Sequence, residues 1–329
     1  MHVKSLPVQK SLVSIREDVI DWLLEGDVSI QYQVYKYLLD EERPDLQKRI
    51  LQEGWGKAFM DARNEYGDWG QKYYQPKWTS THYTLYDIRC LEPPIDPEIA
   101  DLIESIIQSE KGPDGGILPI GATQKSDMCI NGMFLYFSTY FHVKEPGLES
   151  IVDCLIHNWM PDGGFNCRLN RSGARHSSMH TTISVLEGIS SYLDHGYDYR
   201  GDDLIRCRDQ AVEFLLMHNL FRSDHTGEII HKDFLKLCHP SRWKYNVLRA
   251  MDYFAIANVP WDLRMSEAMD QILNKINKKG TFNVQAHHPG QVHIKMEEAG
   301  RPSRWNTLKV LRILKRYGVH LHKQFLKVH

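Results

Sequence analysis

The strongest constraint on this chain is a repeated turn. PDGGI (113–117) and PDGGF (161–165) share four residues and lie 48 positions apart. YGDWG (66–70) and KKGTF (278–282) are related turns, and a weaker one, HTGEI (225–229), falls between the last two. Each follows a helical pattern and precedes a polar loop and a second, more apolar helical pattern. A period of this length marks stacked helix pairs, because one pair alone cannot bury its apolar face.

The second helices are predicted over 78–91, 126–141, 176–193, 241–256 and 303–318, and they are apolar on nearly every face. Such helices are buried. The first helices, such as 96–108 and 148–160, are amphipathic and suit an outer layer with one wet face. Residues 17–39 add a sixth pair. The expected fold is all-α, an α/α toroid of six helical hairpins with inner and outer rings, forming a single domain over residues 1–329. An open superhelical solenoid is the rival arrangement. It would not need inner helices that are apolar on both faces.

Hydrophobic residues make up 42% of the chain, enough for a large core, and the formal net charge of −2 disfavours bulk nucleic-acid binding. The chain from Lys309 onward is locally basic and reads as a solvated helix. No apolar run is long enough for a membrane span, and the first residues lack a signal segment. Six scattered cysteines suggest a reducing compartment, so a cytoplasmic location is expected.

In a closed toroid the inner helices run parallel and their N-terminal ends meet at one mouth, where unpaired N–H groups create positive potential. That expectation places His82, Asp127, Cys129, His176, His180, Arg242, Trp243, Arg304 and Trp305 around one cavity. Asp127 at a helix cap, Cys129 in the first turn and His180 at the matching position of the next repeat form a candidate metal set. One carboxylate, one thiolate and one imidazole leave a fourth position open, as in catalytic Zn2+ sites. The same residues also read as a helix cap, a small buried apolar residue and a core histidine.

Trp78, Trp243 and Trp305 open three inner helices and form a candidate aromatic wall for substrate, or a packing seam between repeats. Arg242 and Arg304 offer forks for a carboxylate or phosphate, or pair with Glu297 or Glu298. His82 and His176 are the candidate catalytic bases or supporting groups. Ser177 and Ser178 are expected to cap their helix. Asp114 and Asp162 read as turn formers, with a glycosidase-like pair as the alternative. The loop 281–300 carries His287, His288 and His293 and reads as a solvated loop, a lid or a second metal site.

The unit PDGGFNCRLNRSGARHSSMHTTISVLEG resembles the repeat of the protein prenyltransferase β subunit, within the terpenoid-cyclase superfamily. Most of the chain is similar to bacterial squalene-cyclase-like proteins, through EGDVSIQYQVYKYLL, PKWTSTHYTL, SRWKYNVLRAMDYF and GRPSRWNTLKVLR. This resemblance implies a catalytic zinc on Asp127, Cys129 and His180. The family's basic diphosphate ligands are replaced by Gly121 and Gln124, with only Lys125 nearby, and its tyrosine after the metal cysteine by Ile130. No D-x-D-D acid occurs.

The reading that follows is a zinc-dependent enzyme acting on a small or lipid-like substrate by activating a thiol or water. The alternatives are a non-catalytic ligand- or protein-binding toroid, with His176 as a fourth closing ligand, and a metal-free carboxylate-based carbohydrate-active enzyme. Whether a partner chain is needed is left open.

Overall fold

A computed structural model describes residues 16–119, 124–167 and 173–317. The protein is all-α. Apart from isolated bridges, strand pairing among the described residues is limited to Phe282–Asn283 against Pro302–Ser303. The helices are α1 (Glu17–Leu24), α2 (Val28–Val34), α3 (Pro44–Arg49), α4 (Gly54–Asp61) and α5 (Thr81–Leu91). They continue with α6 (Pro97–Glu110), α7 (Met128–Tyr140), α8 (Glu145–His157) and α9 (Met179–Asp194). The last four are α10 (Gly201–Met217), α11 (Val247–Ile256), α12 (Ser266–Leu273) and α13 (Arg304–Arg316).

Burial sorts these helices as the patterning predicts. In α7 every residue except Cys129 and Tyr136 is buried. In α6 the buried residues are Ile99, Ile103, Ile106 and Ile107, one stripe of an amphipathic helix. Each such side chain contributes roughly 1.5–3 kcal/mol when taken out of water.

The buried helices follow one another in space. α5 packs on α7, α7 on α9, α11 on α13, and α13 on α2. Ser190 and Tyr253 join α9 to α11 by a hydrogen bond, and the Gln33 amide of α2 donates to the Cys90 carbonyl of α5. The closest packing is between α7 and α9, where Gly132 faces Gly188. A Cβ on Gly188 would lie 2.2 Å from the Gly132 carbonyl oxygen, so only glycine admits this approach.

The repeated turns share one hydrogen bond. The backbone N–H groups of Trp69, Ile117, Phe165 and Phe282 donate to Thr81, Asn131, Thr182 and Thr307, each on the first turns of a buried helix. All four donors belong to side chains with essentially no exposure. Each turn thus inserts an apolar plug and ties its own backbone to the helix that follows.

A second clamp recurs in the two PDGG turns. The Asp114 carboxylate accepts from the backbone N–H of Ser126, and Asp162 accepts from the N–H and hydroxyl of Ser177. Both aspartates are turn-fastening groups. Ser177 is therefore engaged elsewhere, and Ser178 occupies the N-cap of α9 without a capping side-chain bond. The expected hydroxyl caps do not form.

Two helix expectations need correction. The helix predicted from 241 begins at Val247, because Arg242 takes a left-handed conformation (φ 51°) and Asn246 caps the N–H of Arg249. The basic segment from Lys309 is solvated only in part, at Arg316 and along Lys309 and Lys315. Val310 to Leu314 are buried and Arg312 turns inward onto Asp252. Residues 318–329 lie outside the described residues.

Candidate functional site

The N-terminal ends of α7 and α9 open into a cleft of about 1380 Å³, walled on the far side by the 218–234 segment. Asp127, Cys129, His176, His180 and Trp243 all line it. These are five of the nine side chains expected at one mouth. His176 is exposed, while Cys129 and His180 are half-buried.

Cys129 does not stand alone. Its sulfur lies 3.0 Å from that of Cys167, a residue the sequence reading passed over, and both are free thiols. Cys167 Sγ also accepts from the backbone N–H of Cys129 at 3.2 Å and from the Thr181 hydroxyl at 3.5 Å. Contact with Cys167, followed by burial, pushes the Cys129 thiol well up; the same contact holds Cys167 below the ordinary thiol range. Donors converging on one sulfur at a helix N-terminus favour its thiolate.

His180 is fixed by its neighbours. Its Nδ1 accepts from the Tyr245 backbone N–H at 2.7 Å, and its ring meets Trp243 and Phe234 edge-on. Burial, then the charges of Arg249 and Lys244, lowers its pKa to about 4, so it is neutral at pH 7. With Nδ1 accepting, the ring proton sits on Nε2. Neither nitrogen then has a free lone pair.

This overturns the expected zinc site. A metal-binding imidazole needs a lone pair on the ligating nitrogen and a proton on the other, the reverse of what Tyr245 enforces. Among the described residues, no group of three or more His, Cys, Asp and Glu side chains is arranged to hold a metal ion. Cys129 is instead engaged with Cys167. Gly121, one of the two positions compared with diphosphate ligands, lies outside the described residues; Gln124 is exposed.

The remaining predicted residues are elsewhere. His82 is fully buried, with Nδ1 2.6 Å from the Tyr73 hydroxyl and Tyr83 and Phe137 against its ring. Burial lowers its pKa to about 3. It does not line the cleft. Trp78 is buried, its indole N–H donating to the Pro289 carbonyl. Arg304 donates to the Trp22 carbonyl and lies over the Trp22 ring. Trp305 stacks between Trp55 and His239. Glu297 accepts from Ser303 and the Trp305 N–H and pairs with neither arginine. The His-rich loop is fastened down, since His293 Nε2 meets the Thr79 carbonyl at 3.0 Å and His287 meets that of His239.

Lys77, also unforeseen, lines the cleft with its ammonium 4.9 Å from the ring centroids of both Trp78 and Trp243. Partial burial lowers its pKa.

A second, smaller cavity of about 140 Å³ lies among the later turns of the buried helices. Ion pairs surround it. Asp87 accepts from Arg242 at 3.0 Å, Glu187 from Arg249 at 2.6 Å and Asp252 from Arg312 at 2.7 Å. Glu92 accepts from Lys36 and the Tyr37 hydroxyl. Burial pushes Asp87 up against the pull of Arg242, whereas in Glu92 the burial cost is outweighed by Lys36 and Arg89 and the carboxyl stays low. Arg242, expected to bind substrate, is one of these buried partners. The available signal was a charged residue inside an otherwise apolar helix, as with Asp87 in THYTLYDIRCL.

No known protein family and no curated protein matches the sequence. Among solved structures, a polysaccharide lyase is similar over 91% of this chain and 96% of its own, at 13% identity and a TM-score of 0.49. The resemblance to the terpenoid-cyclase and prenyltransferase group is therefore corrected. No family match supports it, and among the described residues its signature side chains are not assembled as a metal centre. No helix among the described residues is long and apolar enough to cross a membrane.

Proposed function

We propose that the chain is a carbohydrate-active protein, built as one α/α toroid over residues 1–329, which takes an extended sugar chain in the open cleft and acts on it without a metal. The observation that carries this is the composition of the cleft wall. The aromatic residues Trp243, Phe234 and Tyr74 line the same open space as the acidic residues Asp224 and Glu228. Aromatic faces suit the C–H faces of sugar rings, and carboxylates suit their hydroxyls. A volume above that of a typical small-ligand pocket suits several linked units. A lipid tail would require a wall with far fewer charged groups.

Within this reading each residue has a distinct part. His176, exposed at the cleft, takes the part of the base. His180, held as the Nε2–H tautomer, donates a hydrogen bond rather than accepting one. Trp243 is the stacking platform and Lys77 places positive charge beside it.

The test is a titration of intrinsic tryptophan fluorescence with neutral and acidic oligosaccharides of increasing length, beside a farnesyl diphosphate control. Binding that tightens with chain length and weakens about tenfold in Trp243→Ala supports the reading. Binding of the isoprenoid with no response to any sugar would sink it. Product release from bound sugars, absent in His176→Ala, separates an enzyme from a binding module.

A further inference from the structure

The small cavity among the later helix turns has an imbalance that the ion pairs leave behind. Its buried carboxylates are all committed, each accepting from at least one cation or hydroxyl. Its donors are not. Arg89 feels the charge of Glu92 but makes no hydrogen bond or close ion pair among the described residues, and its Nε is buried without a partner. Arg312 spends Nε and Nη2 on Asp252, leaving Nη1 buried and unpartnered on a residue only 8% exposed. Trp305 Nε1 is likewise unpartnered, and Lys309 approaches Asp252 only at 3.9 Å. Unmatched buried donors each cost free energy unless an acceptor meets them.

The shape of the Arg89 site narrows the acceptor. Tyr136 and Tyr140 place their ring centroids 4.3 and 4.2 Å from the guanidinium carbon. Both rings lie at cation–π distance from the group, which leaves its N–H donors for another acceptor. A carboxylate matches a guanidinium edge with two parallel hydrogen bonds. The cavity volume of about 140 Å³ is well above what a single water needs and leaves room for a small organic anion. We propose that this cavity is a binding site for a small carboxylate, held by Arg89 with Arg312 and Lys309 in support. The site is separate from the cleft and does not depend on the carbohydrate reading.

The experiment is a thermal-shift titration of the full chain with acetate, acetamide and inorganic phosphate at constant ionic strength. Binding to the folded form raises Tm with ligand concentration. Expected is a saturating rise with acetate, none with acetamide, and at least a tenfold weaker acetate response in Arg89→Met. Lys309→Met weakens it several-fold, and Arg89→Lys, which keeps charge but loses the fork, falls between. Equal responses to acetate and acetamide, or an acetate response unchanged in the variants, overturn the proposal. So does a preference for phosphate over acetate. If Arg89→Met does not fold, Arg89→Lys and Lys309→Met decide, and an unchanged acetate response in both overturns it.

Discussion

The two ends of the same helices treat polar groups in opposite ways. At the cleft, Cys129, His176 and His180 open into a wide space beside solvent. Around the small cavity, Asp87, Glu187 and Asp252 are taken out of water and each is locked to an arginine. α7 shows the contrast within thirteen residues, since its two incompletely buried side chains are Cys129, which lines the cleft, and Tyr136, which lines the small cavity. Chemistry is available at one end, and at the other charge is used to fix how the helices face each other.

That contrast breaks most visibly by removing one partner of a buried pair. Glu187→Ala leaves Arg249, 3% exposed, without its carboxylate and should cost about 3–5 kcal/mol in urea unfolding. A loss below about 1 kcal/mol would mean the ring of charges is not structural.

A smaller effect comes from His82. Its folded pKa of about 3 lies below its ordinary value, so the unfolded chain takes up the proton first as pH falls. The stability is fully present above about pH 6.5 and drains as pH drops toward 3. Between pH 6.5 and 5 the loss is on the order of 1.5 kcal/mol. The slope of stability against pH in that window should flatten in His82→Phe, and an unchanged slope would rule His82 out as its source.

At the cleft, Trp243→Ala should weaken oligosaccharide binding about tenfold, or about 1.4 kcal/mol, with far less effect on unfolding than Glu187→Ala. Equal damage to both would erase the distinction between the two ends. The smallest effect concerns the thiols. Iodoacetamide should modify Cys167 before Cys129, read by peptide mass spectrometry, and Cys129→Ala should slow Cys167 a few-fold by removing a donor to its thiolate. Faster labelling of Cys129 would contradict the assignment.

Much of the architecture was legible because it repeats. The turn residues Trp69, Ile117, Phe165 and Phe282 fall at one position of an aligned motif, and all prove to be buried plugs. Five mouth residues were found for the same reason. What failed was everything that depends on orientation. His82 and His180 both fall in the first turn of a buried helix, yet one is sealed behind Tyr73 and the other is turned by a backbone N–H of Tyr245. Neither Tyr245 nor Cys167 is marked by local pattern. Likewise, Arg242 in SRW gives no sign that its partner is Asp87, 155 residues away. Periodicity reveals which face is buried, but pairing across the core requires the third dimension.

The aspartate clamps of the PDGG turns carry a further consequence. Asp114 and Ser126 are 12 residues apart, whereas Asp162 and Ser177 are 15 apart, and both clamps close. The fastening therefore tolerates a change in loop length while keeping each helix entrance in place. Such loops are exchangeable cassettes. A descendant could lengthen or replace the segment inside a clamp and acquire a new cleft rim, with the helices beneath inherited unaltered.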